Sequence, residues 1–212
     1  NIELIGVTPT SIQRLLDITG GLPLFVKSAI KLSYNQFNNN LEKLCSALET
    51  QTHLEETQQE ALLRRIFASL SNTSKNILAI LACSYSLTRN EIQQIISSFE
   101  LPKISLGLRE LIKHDAVAQL RNQRIKIHDA RKLIAKEHFE NYSSEEKSRI
   151  KIALKEVLLA SFEKELDFRN LYLYFKLLVE LKEIDVLADL GTDEIFHELG
   201  FPTEMWELLK QV

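Results

Sequence analysis

Between Ala116 and His128 the hydrophobic period of the chain changes from about 3.6 to two, and this change limits the folds that the chain can adopt. Through most of the 212 residues, apolar side chains recur at spacings of three and four, as on one face of an α-helix. From Ala116 to Leu120 and from Arg124 to His128 the period is two, with Arg121-Asn122-Gln123 between them. Such alternation around a short polar break predicts a β-hairpin. We therefore expect a mainly α-helical protein with one two-stranded hairpin.

Glycine and proline divide residues 1–52 into short elements. A short extended stretch is expected over residues 2–7, and Thr8-Pro9 then supplies an N-cap and a first-turn proline. Gly20-Gly21 ends the helix that begins there. Two more helices follow, from Leu22 to about Leu32 and from about Asn38 to Leu48. These residues predict a small helical domain.

Residues 53–142 contain further capping signals, and the hairpin follows them. After a helix over about 62–70, Ser71 or Thr73 can cap a second, and Thr88 forms a T-x-x-E capping box with Glu91. Pro102 begins another helix, which is expected to run to Lys113. Three helices followed by a two-stranded wing predict a winged helix-turn-helix domain.

Residues 143–212 are expected to be helical throughout. Ser143 to Glu146 caps a long helix, and the stretch from Leu171 to Leu181 is apolar on nearly all sides. Thr192 and Pro202 begin two more helices, and the last carries an apolar face over Met205 to Leu209. Short links between helices are typical of a TPR-like helical-repeat region, of which this segment would be the start.

Composition excludes several classes of protein. The net charge of -3 does not predict strong non-specific attraction to nucleic acid. No apolar run is long enough to span a bilayer, and the N-terminus lacks a signal-peptide pattern, so a cytoplasmic location is expected. Cys45 and Cys83 lie on helical stretches without metal-ligand spacing and are expected to be buried, reduced thiols. Because Asn1 is the first residue and Met205 the only methionine, we expect a piece of a longer protein.

Two short motifs could carry a specific function, although each also has a simple structural explanation. In Gly21-Leu22-Pro23-Leu24, glycine can end one helix and proline can begin the next. In Ile127-His128-Asp129, Asp129 can N-cap the helix after the hairpin, with His128 as the last strand residue. The two motifs lie about a hundred residues apart, with the predicted winged helix between them.

Their order and setting resemble the STAND signalling NTPases, which include the NB-ARC proteins of plant resistance and apoptosome assembly and bacterial relatives in transcription control and antiphage defence. The segment Leu4-x-Gly6-Val7, a helix and then Thr19 to Leu24 is similar to the junction between their nucleotide-binding domain and first helical domain. His128-Asp129 is similar to their Met-His-Asp motif, with Ile127 in place of methionine. The resemblance covers about residues 2–142.

The resemblance implies a nucleotide-sensing role for these motifs. Gly21, Leu22 and Pro23 would lie at the nucleotide, with the proline against the adenine of ADP or ATP. His128 would reach the β-phosphate of ADP and hold the closed state. Asp129 completes the same motif and can cap the following helix at the same time. A histidine suits this role because a ring N–H donates to phosphate oxygen more strongly when protonated.

The catalytic half of such an ATPase is absent from this sequence. It contains no G-x-x-x-x-G-K-[ST] phosphate loop and no strand ending in paired acidic residues for Mg²⁺. We therefore expect no enzymatic activity, no catalytic residue, no metal site and no cofactor in this chain itself, and ADP or ATP with Mg²⁺ in the full-length protein. The expected partners are an upstream nucleotide-binding domain, further copies on activation, and a protein ligand of the helical repeats.

Two alternatives stay open. A DNA-binding regulator would use the helix from Pro102 to Lys113 and the hairpin, although Glu100, Glu110 and Asp115 dilute the basic charge. Its candidate contacts are Lys103, Arg109, Lys113, Arg121, Arg124 and Lys126. A helical-repeat scaffold that binds a protein partner without nucleotide is the second alternative.

The remaining candidate residues are expected to be structural. His114, His138 and His197 are single histidines on helices, and no serine or cysteine nucleophile stands at a recognisable spacing from His128. Tyr172, Tyr174 and Phe175 are expected in a helical core, and the Lys/Glu-rich stretch over residues 144–155 is expected to be a solvated helix face.

Overall fold

The computed structural model describes residues 4–50, 57–97, 104–162 and 168–191, together with Glu207 and Lys210. Within these residues the chain is mainly helical, with a small antiparallel sheet, as the hydrophobic period predicts. The predicted helix starts and side chains that lie outside the described residues are Pro102, Thr192, Pro202, Glu100, Lys103, His197, Met205 and Trp206.

The first four helices form a small layer. They are α1 (Pro9–Thr19), α2 (Pro23–Gln36), α3 (Leu41–Thr50) and α4 (Gln58–Ser69). The Thr8 side chain accepts a hydrogen bond from the Ser11 N–H, and Gly20 ends α1 with a φ of 60°, so the predicted N-cap and glycine stop are confirmed. Ile5 pairs with Asn40 in a single parallel bridge within the predicted extended stretch.

The middle elements alternate helices with short strands. In chain order they are α5 (Asn72–Ala82), β1 (Leu87–Thr88), α6 (Arg89–Ser97), α7 (Ile104–Lys113), β2 (Val117–Gln119), β3 (Arg124–Ile127) and α8 (Asp129–Glu140). The Thr88 N–H donates to Glu91 Oε2 at 2.6 Å and the Glu91 N–H to Thr88 Oγ1 at 3.2 Å, so the predicted capping box is present. Ser71, the first of the two predicted candidates, caps α5.

The sheet has three strands, not the two that the sequence predicts. β2 and β3 form the expected hairpin, and β1 adds to its other edge, so that the strand order is β1-β3-β2 and both pairings are antiparallel. A two-residue strand is too short to show alternation, which explains why β1 is not apparent in the sequence. Arg124 supports this edge, since its Nε donates to Ser86 Oγ at 3.0 Å and its Nη2 to the Ser86 carbonyl at 2.9 Å.

Three more helices complete the described chain: α9 (Ser144–Phe162), α10 (Phe168–Glu180) and α11 (Ile184–Gly191). Ser143 and Glu146 exchange the capping-box hydrogen bonds predicted for α9. The Lys/Glu-rich face of α9, which is expected to be solvated, is only partly exposed to solvent. Lys151 Nζ lies 2.9 Å from Glu180 Oε2 and Lys155 Nζ lies 2.7 Å from Glu183 Oε2, because α10 packs along this side.

The buried apolar residues form two clusters. The first core contains Leu15, Ile18, Phe25, Ala29, Leu32, Leu41, Leu44, Cys45, Leu48, Ala61, Leu62, Leu63 and Ile66 from α1–α4, with Ile134 of α8. The second core runs from Leu70 through α5, the sheet and α8 to Leu187, and includes Tyr174 and Phe175, as expected. The predicted domain limits at 52 and 142 stay a prediction, since α4 packs in the first core and the second core crosses residue 142.

None of the helices in the described ranges combines the length and the apolar character that crossing a bilayer needs.

Candidate functional site

The Gly21-Leu22-Pro23 motif forms the sharp turn between α1 and α2. Gly20 and Gly21 both have positive φ, at 60° and 67°, Leu22 is the extended N-cap, and Pro23 is the first residue of α2. The motif therefore acts as helix punctuation. Its two last residues are nevertheless exposed, with 49% of Leu22 accessible.

Helix α1, which precedes this turn, also carries exposed apolar side chains. Ile12 and Leu16 lie one helical turn apart on the same face and are both exposed. The Gly21 N–H donates to the Leu16 carbonyl at 3.0 Å, which holds the turn, and therefore Leu22, close to the end of that face. We call Ile12, Leu16, Leu22 and Pro23 the apolar rim.

His128 is the N-cap of α8, and Asp129 is its first helical residue, which corrects the predicted cap. The His128 N–H donates to the Ala116 carbonyl at 3.1 Å, and the His128 carbonyl accepts from the Arg131 N–H at 2.8 Å. β3 ends at Ile127, so the chain already leaves the sheet at His128. Asp129 cannot be the cap because it is already the first helical residue of α8, and its exposed carboxylate lies 3.3 Å from Lys126 Nζ. The His128 ring is partly exposed and makes no capping hydrogen bond.

Arg131, in the first turn of α8, joins this helix to α2. Its Nη2 donates to Ser28 Oγ of α2 at 3.0 Å and to the His114 carbonyl at 2.9 Å. The side chain is 4% exposed, and burial lowers the pKa of its guanidinium to about 10, with Asp115 acting in the opposite direction. Within the described chain its Nε has no hydrogen-bond partner. A charged group is therefore buried where α2, α8 and the turn after α7 meet.

Asp115 makes a second connection at this place. Its carboxylate accepts from Lys27 Nζ at 3.0 Å and from Lys31 Nζ at 2.5 Å, both on α2, and Lys31 also donates to the Lys113 carbonyl. Burial raises the pKa of Asp115, but the hydrogen bonds from Lys31 and Lys27 outweigh it and hold that pKa below its ordinary value. We call Lys27, Ser28, Lys31, Asp115 and Arg131 the α2–α8 joint. It holds three cations and one carboxylate.

The structure thus brings the two sequence motifs onto neighbouring helices. Pro23 begins α2 and His128 caps α8, and the joint connects the two helices a short way beyond each motif. With a rise of about 1.5 Å per residue, Pro23 lies roughly 7 Å along α2 from Ser28, and His128 lies roughly 4 to 5 Å along α8 from Arg131. Neither Pro23 nor His128 lines the two clefts described below.

The residues of the joint were not predicted, and only one of them has a sequence signal. Arg131 falls on the apolar stripe of α8 that Ile134, Ala135 and Phe139 define, where a charged side chain is unusual. Ser28 and Asp115 show no comparable pattern, because their roles depend on how distant helices pack.

A first cleft of about 360 Å³ lies between the start of α6, α7 and the hairpin. Arg89 and Arg109 contribute its charge, and no carboxylate is among its lining residues. Arg89 Nη2 donates to Ser105 Oγ at 2.6 Å, which fixes one guanidinium at the wall. On α7 beside it, however, Leu106 is 67% exposed and Ile112 is 52% exposed. The outer face of α7 is therefore mixed, with apolar side chains next to Arg109.

Three other residues that the sequence assigns a structural role are His138, Cys45 and Cys83. His138 lies between the rings of Phe67 and Tyr142, each 5.2 Å away, which agrees with a structural role. Cys45 is buried as expected, whereas Cys83 is only partly buried and lines a second cleft. No group of three or more His, Cys, Asp or Glu side chains within the described ranges is arranged to hold a metal ion.

The chain matches no known family model, no curated protein and no solved structure.

Proposed function

We propose that this chain is the regulatory part of a STAND-type signalling ATPase, which senses the nucleotide on an upstream nucleotide-binding domain and controls oligomerisation. The observation that carries the proposal is the hydrogen bond between Arg131 and Ser28, which joins the helices of the two motifs across 103 residues of sequence. A sensor of this kind needs its two nucleotide-facing segments to be mechanically connected, and the α2–α8 joint provides that connection.

The order of the middle elements supports this assignment. One helix, a short strand, two helices and a hairpin follow each other, and the first strand pairs with the hairpin. We take residues 53–142 as a winged-helix domain, with residues 1–52 as the end of the nucleotide-binding region and a helical domain. The helices from α9 onward would begin the TPR-like repeat region.

The apolar rim provides a surface for the nucleotide-binding domain. Exposed Leu22 and Pro23 continue the exposed face of Ile12 and Leu16, so a domain that covers α1 would also reach the motif. Burial of such side chains is favourable at roughly 25 cal/mol per Å² of apolar area. We infer that this rim is where the upstream domain packs in the closed state.

The switch follows from different contacts in two nucleotide states. The partly exposed His128 ring can donate an N–H to a phosphate oxygen, and Pro23 presents an apolar surface to a purine ring. These two residues suit ADP or ATP. The nucleotide-binding domain would hold the nucleotide together with Mg²⁺, and the nucleotide would set the energy difference between the closed and open states. A ligand shifts an equilibrium only by its differential affinity, so loss of the His128 contact should favour the open state.

The test is nucleotide release from the full-length protein. His128→Ala should release a fluorescent ADP analogue faster than the wild type and should form oligomers at a lower ATP concentration. Leu133→Ala is the matched control, because Leu133 is an exposed side chain on the same helix. An unchanged ADP release rate together with unchanged oligomerisation would falsify the proposal.

Direct binding of DNA is the second candidate, and the first cleft favours it because two guanidiniums meet there without a carboxylate. Other candidate contacts are already engaged: Arg124 is buried against Ser86 and Glu91, and Lys126 lies beside Asp129. Exposed Leu106 and Ile112 favour a protein contact on α7. Fluorescence anisotropy with duplex DNA at two salt concentrations separates the candidates, because affinity through phosphate contacts falls steeply with salt.

A further inference from the structure

A second cleft, of about 300 Å³, is lined by residues of α8 other than Arg131 and by none of the other residues of the joint. Its walls are the end of α5 with the turn after it, α8, α9 and α10. Its charged lining residues are Lys132, Lys136, Glu140, Lys151, Lys176 and Glu180. Four lysines thus face one small space with two carboxylates.

Both carboxylates are already engaged with lysines of α9. Glu180 Oε2 lies 2.9 Å from Lys151 Nζ, and Glu140 Oε2 lies 2.8 Å from Lys147 Nζ, which is not itself part of the lining. Hydrogen bonding to Lys147 lowers the pKa of Glu140, so this carboxylate is ionised and committed to that pair. Each of the two carboxylates of the cleft is therefore paired with a lysine of α9.

The lysines of α8 have no such partner. Lys132 and Lys136 lie one turn apart on α8, and among the described residues neither has a carboxylate within 4 Å. Lys132 Nζ lies 5.9 Å from the centre of the Tyr85 ring, a cation–π contact that holds it at the wall. Lys176, on α10, is 3.9 Å from Glu180, which Lys151 approaches more closely.

The remaining wall is neutral. Cys83 lies at the end of α5, and burial raises the pKa of its thiol to about 12, so the thiol adds no negative charge near neutral pH. Tyr85 and Tyr172 provide partly exposed aromatic surface. The cleft consequently combines three cations that lack a close, dedicated carboxylate with neutral and aromatic walls.

We propose that this cleft binds a small ligand that carries two or more phosphate groups, held by Lys132, Lys136 and Lys176. Lysine ammonium groups bind phosphate as point charges. Because Lys132 and Lys136 lie on α8 and Lys176 lies on α10, a ligand that contacts both helices must carry negative charge at more than one point. A volume of about 300 Å³ is at the small end of ligand sites and therefore suits a small molecule. The site goes beyond the proposed nucleotide sensing and uses none of its residues.

The test is calorimetric titration of the 212-residue chain with inorganic triphosphate. The wild type should bind. The double variant Lys132→Gln/Lys136→Gln should bind at least about tenfold more weakly, because both charged contacts from α8 are lost. Lys176→Gln tests the opposite wall separately. Lys43→Gln is the matched control: Lys43 is an exposed lysine of α3, far from the lining, and its loss should leave the affinity unchanged.

Three outcomes would overturn the proposal. They are no binding at millimolar triphosphate, equal binding by the double variant, and an equal loss in Lys43→Gln, which would indicate non-specific attraction. Circular dichroism and the melting temperature confirm that each variant is folded. His128→Ala should bind triphosphate like the wild type. If it does not, the anion binds at His128 instead of in the cleft, and the cleft is excluded while the proposed function is not.

A second arm distinguishes possible sources of the phosphate groups. A nucleoside triphosphate that binds more tightly than inorganic triphosphate, with the difference lost in Tyr172→Leu, assigns the aromatic wall to a base. Equal affinities assign the site to the phosphate chain alone. Either result supports a phosphate site, provided that both affinities fall in the double variant.

Discussion

Arg131 of α8 donates a hydrogen bond to Ser28 of α2 at 3.0 Å, and this contact buries a cation between two helices that are far apart in the sequence. The guanidinium also binds the His114 carbonyl but makes no ion pair within 4 Å among the described residues. Desolvation of the charge opposes folding, whereas the long side chain fills space and satisfies two acceptors.

Replacement of Arg131 should separate these effects. Arg131→Ala should lower the free energy of unfolding by about 2 to 4 kcal/mol, because it leaves a cavity and two unpaired acceptors. Arg131→Met keeps most of the volume without the desolvated charge and should stay within about 1 kcal/mol of the wild type. Urea denaturation followed by circular dichroism measures both. A Met variant as unstable as the Ala variant would mean that the hydrogen bonds dominate.

Asp115→Asn should weaken the joint in a salt-dependent way. It removes the carboxylate that Lys27 and Lys31 bind and that lies near Arg131, so among the described residues these three cations lose their compensating charge. Asparagine tolerates the positive φ of 49° at this residue, so the backbone is not strained. We expect a loss of about 1 kcal/mol at low salt, measured by denaturation, and a smaller loss at about 0.5 M NaCl. Equal losses at both concentrations would contradict an electrostatic role.

Gly107→Ala should destabilise the contact between α7 and α5. A methyl group at this position would lie 2.9 Å from Ile77 Cδ1 and 3.0 Å from Thr73 Cγ2, closer than packed carbon atoms allow. Alanine favours a helix over glycine by up to about 1 kcal/mol, so we expect a net loss of about 1 to 2 kcal/mol.

Gly21→Ala is the contrasting variant. Its added methyl group would meet no atom within 4 Å, but its φ of 67° disfavours any side chain, so a loss of about 1 kcal/mol is expected from the backbone alone. Thermal melts of both variants provide the comparison. A Gly107→Ala variant as stable as the wild type would show that α7 moves away from α5 at little cost.

Stability should fall as the pH is lowered through the histidine range. Burial, with a smaller contribution from Lys75, lowers the pKa of His138 below its ordinary value of 6.5, and burial does the same for His114. Between the unfolded and folded pKa values the unfolded chain binds more protons, so stability is complete above pH 6.5 and is lost as the pH falls towards the folded pKa. The melting temperature should therefore decrease between about pH 7 and pH 5.

The variant His138→Phe tests how much of this pH dependence of stability comes from His138. Phenylalanine keeps the edge contacts with Phe67 and Tyr142 but cannot be protonated. The variant should show a smaller decrease over the same pH range, with the remainder due to His114. An unchanged slope would assign the pH dependence to other groups.

The sequence predicts local structure here better than it predicts contacts between distant segments. Thr8, Ser71, Thr88 and Ser143 begin helices where their side chains are expected to cap, because a cap needs only the next three residues. Likewise, the change of period locates the hairpin. The cap of α8 falls on His128 instead of Asp129, because β3 ends at Ile127 and the helix begins one residue earlier than expected.

What was not predicted depends on tertiary packing. β1 exists only because Leu87 and Thr88 meet β3, and two residues carry no detectable period. The α2–α8 joint and the lysine cleft each combine side chains from three or more elements, which no local pattern specifies. The nucleotide-sensing role of Pro23 and His128 stays a prediction that rests on the resemblance and on the connection between their helices.

Helix α8 closes both halves of the interior with adjacent residues, since Ile134 packs in the first core and Ala135 in the second. Neither half can lose its order without uncovering a wall of the other. Heating should therefore produce a single cooperative transition with matching calorimetric and van't Hoff enthalpies, and a displacement of this one helix would be felt at the same moment on both sides of the molecule.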